Sequence, residues 1–289
     1  MRRALILTGL FIFIWGANTG LKQINTIEQN IEYLNDHAPN INVRNSDQEE
    51  TAADKNKKET GKRKEKEPEM IFEEADYLVK IRLFRKIVIP YTQQTIYLDA
   101  GGFGSGFTTN DKNICKKSAY CVVTAFHVVN DGSMSYFAES KNGSRAQMLE
   151  LANGSKTYDF AVLRFIDYDY VPAKTAVLGK SSKLKPGARI YTMGSNAYGD
   201  FWFSPTGHLY TSVKAASPQL RAILAPAGLN HPELLLFHTP VFHGFSGGPL
   251  VNKYGEVVGI SIGMVGLDEE PIYIGSPIDG IRKTLKNMK

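Results

Sequence analysis

The chain has 289 residues and a formal charge of +5, enough length for one large or two modest cores. Much of the basic excess lies in residues 55–66, among interleaved glutamates and without aromatics. That pattern describes a solvated tail and argues against a nucleic-acid partner. Two cysteines, Cys115 and Cys121, exclude a disulfide-dense scaffold and a four-cysteine zinc site.

In chain order, Met1-Arg2-Arg3 precedes an apolar run over residues 4–15. That run falls short of the ~20 residues of a spanning helix and suits the core of an export signal. Residues 1–20 are therefore expected to be a signal peptide or an uncleaved signal-anchor, with a buried helix as the remaining alternative. Either of the first two readings makes the protein exported, periplasmic or secreted, with membrane anchoring through residues 4–15 in the second. Leu21, Ile24, Ile27, Ile31 and Leu34 recur at helical spacing and predict a short amphipathic helix. Residues 45–69 are almost free of apolar side chains and cannot offset the entropy of ordering, so 21–69 reads as helix plus disordered linker.

From Met70 the pattern changes to short apolar runs punctuated by Gly, Pro and Asn. Strands are expected at 77–84, 87–89, 95–98, 120–124, 146–151, 160–165, 188–193, 209–213, 234–237, 257–262 and 272–274. Many short strands before a single closing helix at 278–287 describe an all-β barrel or sandwich over 70–289. The glycines of residues 101–106 fit no G-x-G-x-x-G frame and read as kinks in a strand.

Ser246 stands between glycines in Gly244-Phe245-Ser246-Gly247-Gly248, just before the apolar pair Leu250-Val251. A serine hydroxyl is a weak nucleophile and needs a base and a carboxylate to orient that base. Upstream, Thr124-Ala125-Phe126-His127 supplies the imidazole and Tyr158-Asp159-Phe160-Ala161 the carboxylate.

Gly104-Ser105-Gly106-Phe107, the His127 and Asp159 segments, Pro186-Gly187-Ala188-Arg189 and the Ser246 segment occur in that order. Together they resemble the trypsin-like serine proteases, nearest to the HtrA/Deg-type branch, over roughly residues 77–281. The resemblance implies two six-stranded antiparallel β-barrels, about 77–178 and 179–289, with the site in the cleft between them. It implies His127 as general base, Asp159 as its orienting acid, Ser246 as nucleophile, and the amides of Gly244 and Ser246 as the oxyanion hole. Phe245 stands where that branch has asparagine and true trypsins have aspartate, so activation by a new N-terminus pairing with that aspartate is not expected. With fewer than 45 residues after Ser246, the PDZ domains of many members of that branch are not expected. The implied substrate pocket comprises Pro240, His243, Ser261, Gly263 and Gly275; with no charge on its walls it favours an apolar or small side chain, unless His238 selects an acidic one.

Rival readings of the same residues fail on order or company. Gly244-x-Ser246-x-Gly248 also matches the nucleophile elbow of α/β-hydrolases, but that fold needs a histidine after the serine, and none follows His243. A subtilisin order would need an acid before His127, where Asp111 sits in a loop. His231, His238 and His243 lack the spacing and carboxylates of a metal site, so no metal or cofactor is expected. Cys115 and Cys121 flank a short loop, and an exported chain would join them, with two free thiols as the alternative. The resulting expectation is an exported serine endopeptidase acting on proteins or peptides. A protease-like binding module and a serine esterase of another fold are the alternatives, and the sequence leaves oligomeric state open.

Overall fold

The computed structural model describes residues 63–143, 146–196, 200–214, 233–265 and 271–288. The expected signal or anchor segment, the amphipathic helix, residues 45–62 of the linker and His231 lie outside the described residues. None of the described helices is long and apolar enough to cross a membrane.

Six strands form a closed antiparallel barrel: β1 (Leu78–Val88), β2 (Thr95–Thr109), β3 (Cys121–Thr124), β4 (Met134–Ser140), β5 (Gln147–Ser155) and β6 (Phe160–Phe165). Their order around the barrel is β1-β2-β3-β6-β5-β4. Leu78, Val79, Ile81, Phe107, Val123, Tyr136, Leu149 and Leu163 are buried in the core. Closure leaves no unpaired edge over the shared length of the strands. Beyond Arg85, which pairs with Met134 at the start of β4, β1 and β2 continue as a two-stranded arm.

The second half contains β7 (Ile190–Ser195), β8 (Phe201–Ser204), β9 (His208–Lys214), β10 (Glu233–His238), β11 (Pro249–Asn252), β12 (Val257–Val265) and β13 (Ile272–Pro277). The sheet order is β8-β7-β11-β12-β13-β10-β9. It curls back on itself, because β9 also bonds to the segment entering β7: Leu209 N–H donates to Ala188 O at 2.8 Å and Ile190 N–H to Gly207 O at 3.0 Å. β8 is the extra strand, a hairpin partner of β7 outside that ring. The two-barrel architecture implied by the sequence stands, with this added edge.

Residues 176–179 stitch the halves together. Ala176 N–H donates to Thr108 O on β2, while Val257 N–H donates to Val177 O and Gly179 N–H to Val257 O, each at 2.8 Å. The closing helix occupies the predicted span, Ile278–Asn287, with Ile278, Ile281 and Leu285 buried. Counting helices in chain order it is α3, after α1 (Pro68–Glu73) and α2 (Lys112–Cys115).

The expected boundary at residue 70 falls inside α1, and residues 63–69 pack on the second half. Arg63 pairs with Glu256, Lys253 pairs with Glu65, and Lys66 N–H donates to Lys253 O at 3.0 Å. Phe72 stacks on Phe203 of β8 at 4.7 Å. Lys141 Nζ donates to the helix-end carbonyl of Phe72 at 2.7 Å, a favourable place for a cation. Cys115 and Cys121 form a disulfide across a Cα separation of 5.4 Å, joining α2 to the start of β3.

Candidate active site

His127 lies in a single 3-10 turn, Phe126–Val128, immediately after β3. Asp159 closes the turn before β6 with φ +45, a left-handed conformation that a short polar side chain tolerates. This geometry turns the carboxylate onto His127. The His127 backbone N–H donates to Asp159 Oδ1 at 2.9 Å, and His127 Nδ1 lies 2.7 Å from Oδ2. The second contact assigns the ring proton to Nδ1 and leaves Nε2 as the acceptor. The Asp159 side chain is 11% exposed and that of His127 39%, so the carboxylate is sheltered while the imidazole opens to solvent.

Ser246 arrives from the other half on a loop pinned by backbone bonds. Phe245 N–H donates to Phe242 O at 3.0 Å, Gly247 N–H to Ser261 O at 2.7 Å, and Gly248 N–H to Phe245 O at 2.8 Å. Gly244 and Gly247 have φ +101 and +83, which only glycine adopts without strain. Gly247 is further constrained by space: a Cβ there would lie 2.6 Å from Ala125 N and collide with Thr124 Oγ1. The loop carrying Ser246 is therefore pressed against the segment that leads into His127.

Ser105 on β2 fastens the same junction. Its Oγ donates to Gly244 O at 2.6 Å and accepts from Ser195 N–H at 2.7 Å. Its N–H donates to Ser246 O at 2.8 Å, and its carbonyl accepts from Thr124 Oγ1 at 2.6 Å. Gly104 leaves room beside it, since a Cβ there would meet Val128 Cγ1 at 2.6 Å and Ser246 O at 3.2 Å. Sequence reasoning quoted Ser105 within a motif and gave it no role; its partners come from three separate segments, β3, β7 and the serine loop, and leave no local signal.

The structure thus brings His127 and Asp159 into direct contact and joins Ser246 to them through Ser105, Gly104 and Gly247. Among the described residues Ser246 makes no side-chain hydrogen bond to His127, and the amides of Gly244 and Ser246 donate to no protein acceptor. Contacts of this kind tighten when substrate fills a site.

Of the implied pocket residues, Ser261 and Gly275 are cross-strand partners and buried, whereas Pro240, His243 and Gly263 are exposed. Gly247 and Gly248 bond to Ser261 through the backbone, which sets β12 beside the serine loop. The Ser261 hydroxyl is buried with no partner among the described residues. His238 is paired in register with His208 across β9 and β10. A cavity of about 310 Å³ is lined by Phe126, Val129, Met134, Met148 and Leu151; it includes none of His127, Asp159 and Ser246. Phe245 is fully buried, against Gly194, where a Cβ would come within 2.7 Å of its ring. The bulk that replaces asparagine or aspartate therefore packs behind the loop.

A family model described as a trypsin-like peptidase domain matches residues 104–260, more than half of the chain. Serine protease HTRA1A of Danio rerio is 29% identical over 191 residues, 65% of this chain and 34% of that protein. A probable periplasmic serine endoprotease, DegP-like, of Hahella chejuensis is 32% identical over 163 residues, 56% of this chain and 30% of that protein. The chain thus spans about a third of the length of these curated relatives. The active form of the Rv3671c protease from M. tuberculosis superposes with a TM-score of 0.52 at 19% identity, covering 75% of this chain and 82% of that one; it shares the fold. Matched from the glycine-serine segment of β2 through β12, and folded as two joined β-halves, the chain belongs to the trypsin-like peptidase family.

Proposed function

We propose that the protein is a serine endopeptidase with Ser246 as nucleophile, His127 as general base and Asp159 as the acid that orients it. Ser246 Oγ attacks the scissile carbonyl carbon while His127 Nε2 takes the hydroxyl proton. The tetrahedral oxyanion is received by the amides of Gly244 and Ser246, where one donor is worth about 3 kcal/mol. His127 then returns the proton to the departing amine, leaving an acyl ester on Ser246. Water, deprotonated by the same imidazole, attacks that ester, releases the acid and restores the serine. Ser261, Gly263, Gly275, Pro240 and His243 surround the acyl-side residue.

The observation that carries this reading is the two-point grip of Asp159 on His127, in a segment against which Gly247 is packed. The Cys115–Cys121 bond favours an oxidising compartment and supports export, with residues 4–15 as the signal or membrane anchor. Labelling by a fluorophosphonate, mapped by mass spectrometry, tests the assignment. The expected result is a single adduct on Ser246, lost in Ser246→Ala together with casein cleavage.

A second reading, a protease-like binding module, is favoured by the lack of a hydrogen bond between Ser246 and His127. A folded wild-type chain that takes up no fluorophosphonate and cleaves no casein would select it.

A further inference from the structure

The exposed aromatic rings beside the Ser246 loop are connected to one another. Phe245, fully buried, meets Phe242 edge-on at 5.6 Å, and Phe242 meets Trp202 edge-on at 6.1 Å. The chain of rings runs from behind the serine loop to the surface, where Phe242 is 47% and Trp202 52% exposed. Trp202 is the cross-strand partner of Gly194, the residue whose missing side chain admits Phe245. Phe103 lies under Gly244, where a Cβ would collide with its ring. It packs edge-on to His243 at 5.5 Å. The ladder holds Trp202 and Phe242 in place without covering them, and a contiguous exposed aromatic patch of this kind marks an interaction site.

Sheet order says which part of a substrate these rings meet. Ser246 leads into β11, the third strand in β8-β7-β11-β12-β13. The acyl-side walls, Ser261 and Gly275, belong to β12 and β13, on one flank of β11. Trp202 belongs to β8, on the other flank. A polypeptide crossing Ser246 with its acyl-side residue toward β12 and β13 carries its departing segment toward β8.

We propose that Trp202 and Phe242, with Phe103 across the loop, form the surface that selects large apolar or aromatic side chains in the first residues after the cleaved bond. The proposal rests on Ser246 being the nucleophile. Burial of one such side chain against aromatic rings gives about tenfold discrimination over glycine or aspartate at the same position.

The test digests a proteome-derived peptide library with the full chain and reads the residues on both sides of each new terminus. Wild type is expected to enrich Phe, Tyr, Leu or Ile at the first or second leaving-side position about tenfold over Gly and Asp. Trp202→Ala is expected to bring that ratio to within about twofold, and Trp202→Phe to restore most of it. Because Trp202 sits on an edge strand and is half exposed, Phe242→Ala provides a second variant with the same expected loss. A wild-type enzyme labelled on Ser246 by fluorophosphonate whose leaving-side profile is flat, or whose preference survives both alanine variants, overturns this inference and spares the nucleophile. Absence of both labelling and cleavage overturns the nucleophile itself, and this inference with it. A flat profile accompanied by a change in sedimentation coefficient in Trp202→Ala would reassign the rings to a second copy of the chain.

Discussion

Asp159 faces His127 from a left-handed backbone conformation, and both of its carboxylate oxygens engage that one residue. Oδ1 holds the main chain and Oδ2 the ring, so neither the position nor the tautomer of the imidazole is free to drift. In Asp159→Asn the amide oxygen must stay on the His127 N–H, since the alternative sets a donor against a donor. The amide nitrogen then faces Nδ1, moves the ring proton to Nε2 and removes the base. Asparagine tolerates φ +45 as aspartate does, so the fold should persist. The expected fall in kcat is about 10⁴-fold with unchanged circular dichroism; a fall below tenfold would show that this carboxylate does not set the tautomer.

Ser105 ties the two halves at the serine loop, and its hydroxyl is buried with both roles filled: it donates to Gly244 O and accepts from Ser195 N–H. Ser105→Ala leaves a buried carbonyl and a buried amide without partners, which costs about 1–3 kcal/mol for each unsatisfied group. The same change frees the Gly244 peptide, whose amide is one of the two proposed oxyanion donors. Both the melting temperature and kcat should fall, with KM changing less, because a tetrahedral oxyanion forms after substrate binds. Restoration of kcat in Ser105→Thr would tie the effect to the hydroxyl; a drop in stability alone would limit Ser105 to architecture.

Chain order made the family legible: the short segments around His127, Asp159 and Ser246 all fall inside residues 104–260, the stretch that the family model matches. The final helix was equally legible, because Ile278, Ile281 and Leu285 fall on one face and all three are buried. Less visible elements owe their existence to distant partners. The six-residue α1 has no helical periodicity to display, and is held by Phe72 on Phe203 and by Lys141 at its end. β8 has only four residues, Phe201–Ser204, with aromatics on both faces, so no alternation announces a strand. β4, Met134–Ser140, was passed over because polar residues interrupt it on the side away from the core. The aromatic ladder is invisible for a similar reason: Trp202 reaches Phe242 only once β7 pairs with β8.

The C-terminal helix should make stability depend on acid through Asp111. Arg282 donates to Asp111 Oδ2 from Nη2 at 2.8 Å and from Nε at 3.2 Å, while Asn113 N–H donates to Oδ1 at 2.9 Å. Burial works to raise this carboxyl, but the guanidinium and the Asn113 amide outweigh it and hold it below the ordinary carboxylate range. A folded-state pKa below the unfolded value of about 3.9 adds stability above that pH, and loses it as pH falls through the folded value. Asp111→Asn should therefore lower the melting temperature at pH 7, by about 1–3 kcal/mol in stability. The gap to wild type should narrow as the pH is taken below about 4. A gap that stays constant down to pH 2 would mean that the charge of Asp111 contributes nothing.

Two tyrosines of the first barrel predict opposite outcomes for the same deletion. The Tyr77 hydroxyl is buried and has no partner among the described residues; burial, reinforced by the charge of Glu74, pushes its pKa well above the ordinary value. The Tyr136 hydroxyl is also sheltered, but donates to the carbonyls of Val129, at 3.0 Å, and Asp131. A buried hydroxyl without a partner carries a desolvation cost of about 1–3 kcal/mol, whereas a bonded one contributes about 1 kcal/mol. Tyr77→Phe keeps the ring in the core and removes the cost, so its melting temperature should rise, by roughly 2–4 °C for each kcal/mol. Tyr136→Phe leaves the Val129 carbonyl beside the His127 turn without its donor, while Asp131 O keeps the Met134 N–H at 3.0 Å, and the variant should melt lower. Thermal unfolding of the two variants beside wild type reads both signs at once. A lower melting temperature in Tyr77→Phe would mean that an ordered water satisfies the hydroxyl, and the partnerless account of it would be wrong.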